Sequence, residues 1–251
     1  MSQLDVIYGL HSIGELLRFD PTEIKEILVA KGRHGNTSEE LLTLARAAGI
    51  PVHPRPPEAL DRLCQTEHHQ GLAAMVKPFG FIELDDVVEL CRGADRAPLV
   101  VLLDEIQDPQ NLGAILRSAH AMGAHAAVFP RHRAVGITPA VRKTSAGAVA
   151  HLPIAQVTNL ARAMETLFED AGLWILGMGS DAKDPLDKLD LTVPLGVVIG
   201  SEGKGLRPIV WQKCQMKARI PMLGEVSSLN ASAAAAVTLY EITRQRQWGR
   251  V

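Results

Sequence analysis

The chain has 251 residues, of which 47% are hydrophobic, 22% charged and 4% aromatic, and its formal net charge is −2. That length suits two domains, or one large α/β domain with an attachment, and the composition excludes disordered, collagenous and membrane classes. The longest uncharged apolar runs, 98–103 and 195–200, are strand-length and fall short of a membrane span, and no basic-then-apolar leader opens the chain, so a cytoplasmic protein is expected.

The first segment reads as a small α/β unit. A helix is predicted over 12–18, a strand over 27–29, and a second helix over 39–48, with Leu41, Leu42, Leu44 and Ala45 at helical spacing and Gly49 as its stop. A strand at 51–53, a helix after Pro56-Pro57 and a strand at 71–77 complete it. The pattern weakens over 78–97, read as a linker between a domain at 1–77 and one at 98–251. From Pro98 strands and helices alternate. Strands are expected at 99–103, 126–129, 152–154, 173–178, 195–200 and 218–221. Between them come a helix capped by Asn111 and ended by Gly123, one opened by Thr138-Pro139, one opened by Asn159, a short one near 206–212, and a final one over about 230–248. Such alternation argues for a parallel sheet covered on both faces, with ligands beyond the C-terminal ends of its strands.

Charge is uneven along the chain. Residues 1–97 hold 10 Lys+Arg against 15 Asp+Glu, whereas 98–251 hold 16 against 13, so the second part is the better candidate for an anionic partner. Cys64, Cys91 and Cys214 are widely spaced and odd in number, which fits reduced, buried thiols rather than disulfides or zinc, and the nine histidines show no metal-ligand spacing.

Three strand ends lead into loops of unusual composition: 104–113, 200–206 and 220–230. Gly200, Gly203 and Gly205 do not have the dinucleotide-binding spacing, and Lys204 precedes Gly205 where a phosphate-binding loop needs Ser or Thr. Spacing alone therefore leaves these glycines as turn formers.

Taken together, the loops resemble the three signature motifs of the SPOUT methyltransferases of the TrmH type. These are Asn111-x-Gly113-x-x-x-Arg117, then Gly200-Ser201-Glu202-Gly203 with Gly205, then Ser227-Ser228-Leu229-Asn230. Tyr8-Gly9-Leu10-His11-Ser12 and His69-Gln70-Gly71 resemble the small L30e-like RNA-binding domain that precedes the catalytic domain in the subfamily methylating a guanosine 2′-hydroxyl of large-subunit ribosomal RNA. The resemblance implies an α/β parallel-sheet SPOUT domain with a deep trefoil knot, S-adenosylmethionine as methyl donor without a metal, a homodimer, and ribosomal RNA as partner rather than DNA or membrane. By motif position, Gly200, Ile220 and Leu229 contact the donor.

The same resemblance gives Arg117 the central catalytic role, with Asn111, Glu202, Ser228 and Asn230 around it. An arginine side chain has five donors and no acceptor, so it is expected to orient a substrate phosphate and stabilise a developing alkoxide, with the phosphate or another group taking the proton, while Glu202 holds the substrate ribose or the arginine, or acts as a base. Bland alternatives stand beside these roles. Arg117 can simply balance Asp104 or Glu105, Asn111 can be a helix cap, Glu202 a solvated carboxylate, and Ser228 and Asn230 caps of the last helix. The first domain, acidic overall, is expected to touch RNA through a local patch such as His11, Lys31, Arg33 and Arg55. Rival functions are the same chemistry on transfer RNA, a non-catalytic ribosome-assembly factor, and a Rossmann dehydrogenase, against which the missing fingerprint counts.

Overall fold

A computed structural model describes residues 4–31 and 36–248. The chain divides into two compact units, Met1–Gly80 with Ile137–Lys143, and Phe81–Gly136 with Thr144–Val251. The first unit contains β1 (Asp5–Tyr8), α1 (Leu10–Phe19), β2 (Ile24–Ala30), α2 (Asn36–Ala47), β3 (Val52–Arg55), α3 (Pro57–Cys64) and β4 (Leu72–Val76). Its sheet runs β1-β4-β2-β3, parallel only between β2 and β3. Ile13, Leu16 and Leu17 of α1 meet Leu41, Leu42 and Ala45 of α2 over the sheet. These residues recur at three- and four-residue spacing, so each helix offers the sheet one apolar face.

Strand β1 was not expected from the sequence. It is a four-residue edge strand with no buried position, so its apolar pattern is weak and pairing with β4 defines it. The two motif stretches of this unit meet: Gln70 Oε1 accepts from the Leu10 N–H at 3.0 Å, and buried His69 accepts from the Gly71 N–H at Nδ1, 3.0 Å, while its Nε2 lies 2.8 Å from Asp61. Because Nδ1 is an acceptor, Nε2 carries the hydrogen that goes to Asp61. Of the proposed surface patch, Arg33 lies outside the described residues.

Beyond β4 the chain forms α4 (Leu84–Arg92), β5 (Leu99–Asp104), α5 (Pro109–Ala121), β6 (Ala126–Pro130), α6 (Pro139–Thr144), which falls almost wholly in the first unit, β7 (Ile154–Val157), α7 (Leu160–Ala171), β8 (Trp174–Met178), β9 (Asp184–Pro185), β10 (Leu195–Gly200), α8 (Pro208–Lys213), β11 (Met216–Arg219) and α9 (Ala231–Trp248). The seven strands pair in parallel in the order β7-β6-β5-β10-β8-β11-β9. Every residue of β5 is buried, which is why it reads as a continuous apolar run instead of an alternating one. Within the stretch read as a linker, α4 places Val87, Val88 and Cys91 in the core of the second unit. Its polar face, Asp85, Asp86, Glu89 and Arg92, hid those three residues from a composition-based reading.

One side chain ties down the segments that lead into β5 and β10. Arg246 near the end of α9 donates to the carbonyls of Leu191, Ala97, Pro98 and Val193 at 2.6–3.2 Å. Burial lowers this guanidinium to about 10, so it remains charged at neutral pH and satisfies all four carbonyls at once. The three cysteines are free and buried, and burial raises Cys91 to about 11 and Cys214 to about 12, which leaves both as inert thiols.

His125 accepts from the Leu99 N–H at Nδ1, 3.1 Å, at the start of β5. Burial, then the Arg96 guanidinium, holds its pKa below the ordinary value of 6.5. Between the lowered folded value and the unfolded one, the unfolded chain binds more protons, so stability is complete above about pH 6.5 and falls as the pH drops below it. The thermal midpoint is expected to fall on acidification from pH 7.5 to 5.5, and less steeply in His125→Asn. Parallel pH profiles for the two proteins would remove His125 as a cause.

Candidate active site

Gly200 pairs with Asp104 in the β10–β5 register, so the loops after these two strands start side by side at the C-terminal edge of the sheet. Asp104, fully buried, accepts from the Arg207 backbone N–H at 2.8 Å and from its Nε at 2.7 Å. This pair ties the end of the second loop to the end of β5. Gly203 and Gly205 have left-handed φ values of 75° and 64°. At Gly200 the requirement is space: a Cβ would lie 2.6 Å from the Leu206 nitrogen and closer still to the Gly205 carbonyl.

The cap of α5 is Asp108, not Asn111. Asp108 Oδ1 accepts from the Gln110 N–H at 2.8 Å, and Pro109 occupies the first helical position, where its lost N–H needs no partner. Asn111 lies within the first turn, 7% exposed, and its amide is therefore available for other bonds. Its Nδ2 donates to Glu202 Oε1 at 2.8 Å, and its Oδ1 accepts from Asn230 Nδ2 at 3.0 Å. Asn230 caps α9: its Oδ1 accepts from the N–H groups of Ser232 and Ala233 at 2.9 and 3.3 Å. Since the helix cap requires the amide oxygen there, the amide nitrogen must point the other way, and it donates to the same Glu202 Oε1. Two amides thus hold one carboxylate oxygen, and among the described residues nothing hydrogen-bonds Glu202 Oε2.

Two clefts share Glu202, Ser201 and Ala231 as a wall. The first lies among the loops after β8, β10 and β11, with Ile199, Ile220 and Leu229 as apolar walls and Ser201 and Ser228 as polar groups. The second is lined by Glu105, Gln107, Asp108 and Asn111 from the first loop and Lys204 from the second.

Of the residues singled out in the sequence, Asn111, Glu202 and Asn230 form one network, and Gly200, Ile220, Ser228 and Leu229 line the first cleft with Glu202. Arg117 stands apart. It is exposed on α5, and the carboxylates suggested as its partners are engaged elsewhere: Asp104 with Arg207, and Glu105 with Arg133 and Arg207 at 3.5 and 3.6 Å. Met178, Gly179 and Ser180, which also line the first cleft, were missed. The signal for them was the C-terminal end of a further parallel strand, β8, followed by a glycine at which a Cβ would lie 3.0 Å from the Trp211 ring. Among the described residues no group of three or more His, Cys, Asp or Glu is placed to hold a metal ion, and no helix is long and apolar enough to cross a membrane.

Residues 98–240 match the SpoU rRNA Methylase family, and residues 6–81 match the RNA 2′-O ribose methyltransferase substrate-binding family. The chain is 40% identical over 250 residues to the 23S rRNA (guanosine-2′-O-)-methyltransferase RlmB of Pseudomonas putida, covering 98% of this chain and 99% of that one. It is 39% identical over 244 residues to the putative TrmH family tRNA/rRNA methyltransferase YacO of Bacillus subtilis, with 97% of each covered. Among solved structures, the SpoU methyltransferase AviRb from Streptomyces viridochromogenes in complex with the cofactor AdoMet matches with a TM-score of 0.65 at 25% identity, over 98% of this chain and 92% of that one.

Proposed function

The chain belongs to the SpoU rRNA methylase family, and on that premise we propose that it transfers a methyl group from S-adenosylmethionine to the 2′-hydroxyl of a guanosine ribose in 23S ribosomal RNA. The observation that carries this reading is the position of Glu202, a carboxylate on the wall between two clefts with one oxygen held by two amides and the other without a hydrogen bond among the described residues. The first cleft suits the donor. Its glycine backbone admits close approach of a flat base, and Ile220 and Leu229 offer apolar surface to it. When bound, S-adenosylmethionine supplies an electrophilic methyl on a sulfonium sulfur.

The remaining work falls to the chain. The second cleft receives the acceptor nucleotide, Glu202 Oε2 accepts the proton of its 2′-hydroxyl, and Asn111 and Asn230 keep that oxygen aimed. Arg117 lines neither cleft, and its part in meeting the substrate phosphate and the developing alkoxide rests on its motif position; Ser228 adds a hydrogen bond at the mouth of the donor cleft. The same proposal includes a metal-free, cytoplasmic homodimer with neither DNA nor membrane as partner, separate roles for the parts at 1–77 and 98–251, and RNA recognition by the first domain. Supporting the dimer, Val237 and Tyr240 are 42% and 50% exposed at a three-residue spacing on α9, an apolar stripe suited to a second copy. The trefoil knot is proposed on the packing of α9 against α5, since β10 and β8 separate its preceding strand β11 from β5.

Incubation with labelled donor, unmodified 23S rRNA transcript and, separately, unmodified tRNA tests the function. Label is expected in 2′-O-methylguanosine of the 23S transcript, in buffer containing chelator. Label in tRNA alone would move the substrate to tRNA. Saturable donor binding with no transfer to either RNA would favour an assembly factor.

A further inference from the structure

A ribonucleotide within a chain carries one phosphate on the 5′ side of its ribose and one on the 3′ side. The second cleft has one cation in its lining and a second paired to one of its lining carboxylates. Lys204 lines it from the second loop, exposed and without an ion pair among the described residues. Glu105 lines it from the first loop, and Arg133 Nη1 lies 3.5 Å from Glu105 Oε1. Arg133 sits in the loop after β6, the strand paired with β5, and the Val135 N–H donates to the Ile106 carbonyl at 3.0 Å, fastening that loop beside the cleft.

Three features separate this arrangement from an ordinary surface ion pair. Glu105 and Arg133 both have left-handed backbones, at φ 58° and 61°, a conformation that side chains of their size rarely adopt and that recurs at functional sites. The pair is long, and the Arg133 side chain is 74% exposed, so its attraction is weak and easily exchanged. A guanidinium fork also matches a phosphate better than a distant single carboxylate oxygen.

We propose that Arg133 and Lys204 grip the two phosphates that flank the acceptor ribose, with Glu105 holding Arg133 in place until the RNA phosphate displaces it. This rests on the reading of the second cleft as the acceptor site. Arg131 and His132, both exposed in the same loop, extend the basic edge along the RNA beyond Arg133.

The test is binding of the full-length protein to unmodified 23S rRNA transcript as potassium chloride is varied from 50 to 200 mM. Each contact to a single-strand phosphate contributes about 0.7 to the slope of log affinity against log salt. Arg133→Gln and Lys204→Gln should each flatten the slope by about 0.7, and the double variant by about 1.4, with donor affinity by calorimetry unchanged. Arg133→Lys should retain the slope, and Glu105→Gln should tighten RNA binding by removing the competing carboxylate. Wild-type slopes and wild-type KM for RNA in both glutamine variants would overturn the proposal. If the wild-type protein transfers no methyl to the transcript, the functional reading falls, while the slopes on the same RNA still judge the clamp.

Discussion

Glu202→Gln is expected to lower the rate of methyl transfer by about 10²–10⁴-fold, the range that a positioned general base contributes. The change is nearly isosteric, and the oxygen held by Asn111 and Asn230 can remain an acceptor, so the network that positions the side chain survives. What disappears is the carboxylate proposed to accept the 2′-hydroxyl proton. Single-turnover kinetics at saturating donor and RNA will show this as a loss in the chemical step, with the donor Kd unchanged within a few-fold. Arg117→Ala provides the second arm. Arg117 is exposed and outside the network, so its removal should leave fold and donor binding intact while costing about 10²–10³ in rate. If Arg117→Ala keeps more than half its activity, it has no part in the reaction. A Glu202→Gln enzyme slowed less than tenfold would show that the proton goes elsewhere.

Gly200→Ala is expected to abolish donor binding. Its added methyl would lie 2.6 Å from the Leu206 nitrogen, and the obstruction is backbone, which cannot swing aside as a flexible side chain does. Gly205 and Leu206 would have to move away from β10, carrying with them the Ser201–Gly205 turn that lines the first cleft and straining the Arg207–Asp104 anchor. Overpacking of this kind costs typically 1–3 kcal/mol in stability. The domain should therefore still fold, at a lower midpoint, with donor binding undetectable by calorimetry. Gly203→Ala is the control: its Cβ meets nothing within 4 Å, and only the left-handed φ of 75° opposes the substitution, so a weaker loss is expected. Equal donor affinity in Gly200→Ala and the wild-type protein would mean that the first cleft is not the donor site.

The sequence was most informative where structure is local or where side chains announce burial. The buried strands β5 and β10 read as unbroken apolar runs, the stops at Gly49 and Gly123 have the left-handed φ values of 72° and 73° that such ends require, and the Asn159 cap is made as expected. Strand ends followed by unusual loops pointed to one edge of the sheet, where the structure places the loops after β5 and β10 side by side, because parallel strands carry all their C-terminal loops to one side.

Tertiary structure decided what each loop residue does. Asn111 looked like a cap because its type and position allow it; only the competition with Asp108, one residue ahead of a proline, leaves its amide free for Glu202. The orientation of Asn230 is set by α9, yet the carboxylate it meets is 28 residues away in sequence. Asp104 and Arg207, 103 positions apart, form a part-buried pair that no local pattern signals. The amino-acid sequence by itself determined the helices other than α4, the buried strands and the composition of the three loops, since these follow from backbone preference and apolar periodicity. The division of the site into two clefts with Glu202 between them came only from the fold, because it depends on strand order, and strand order is fixed by packing among residues that are distant along the chain.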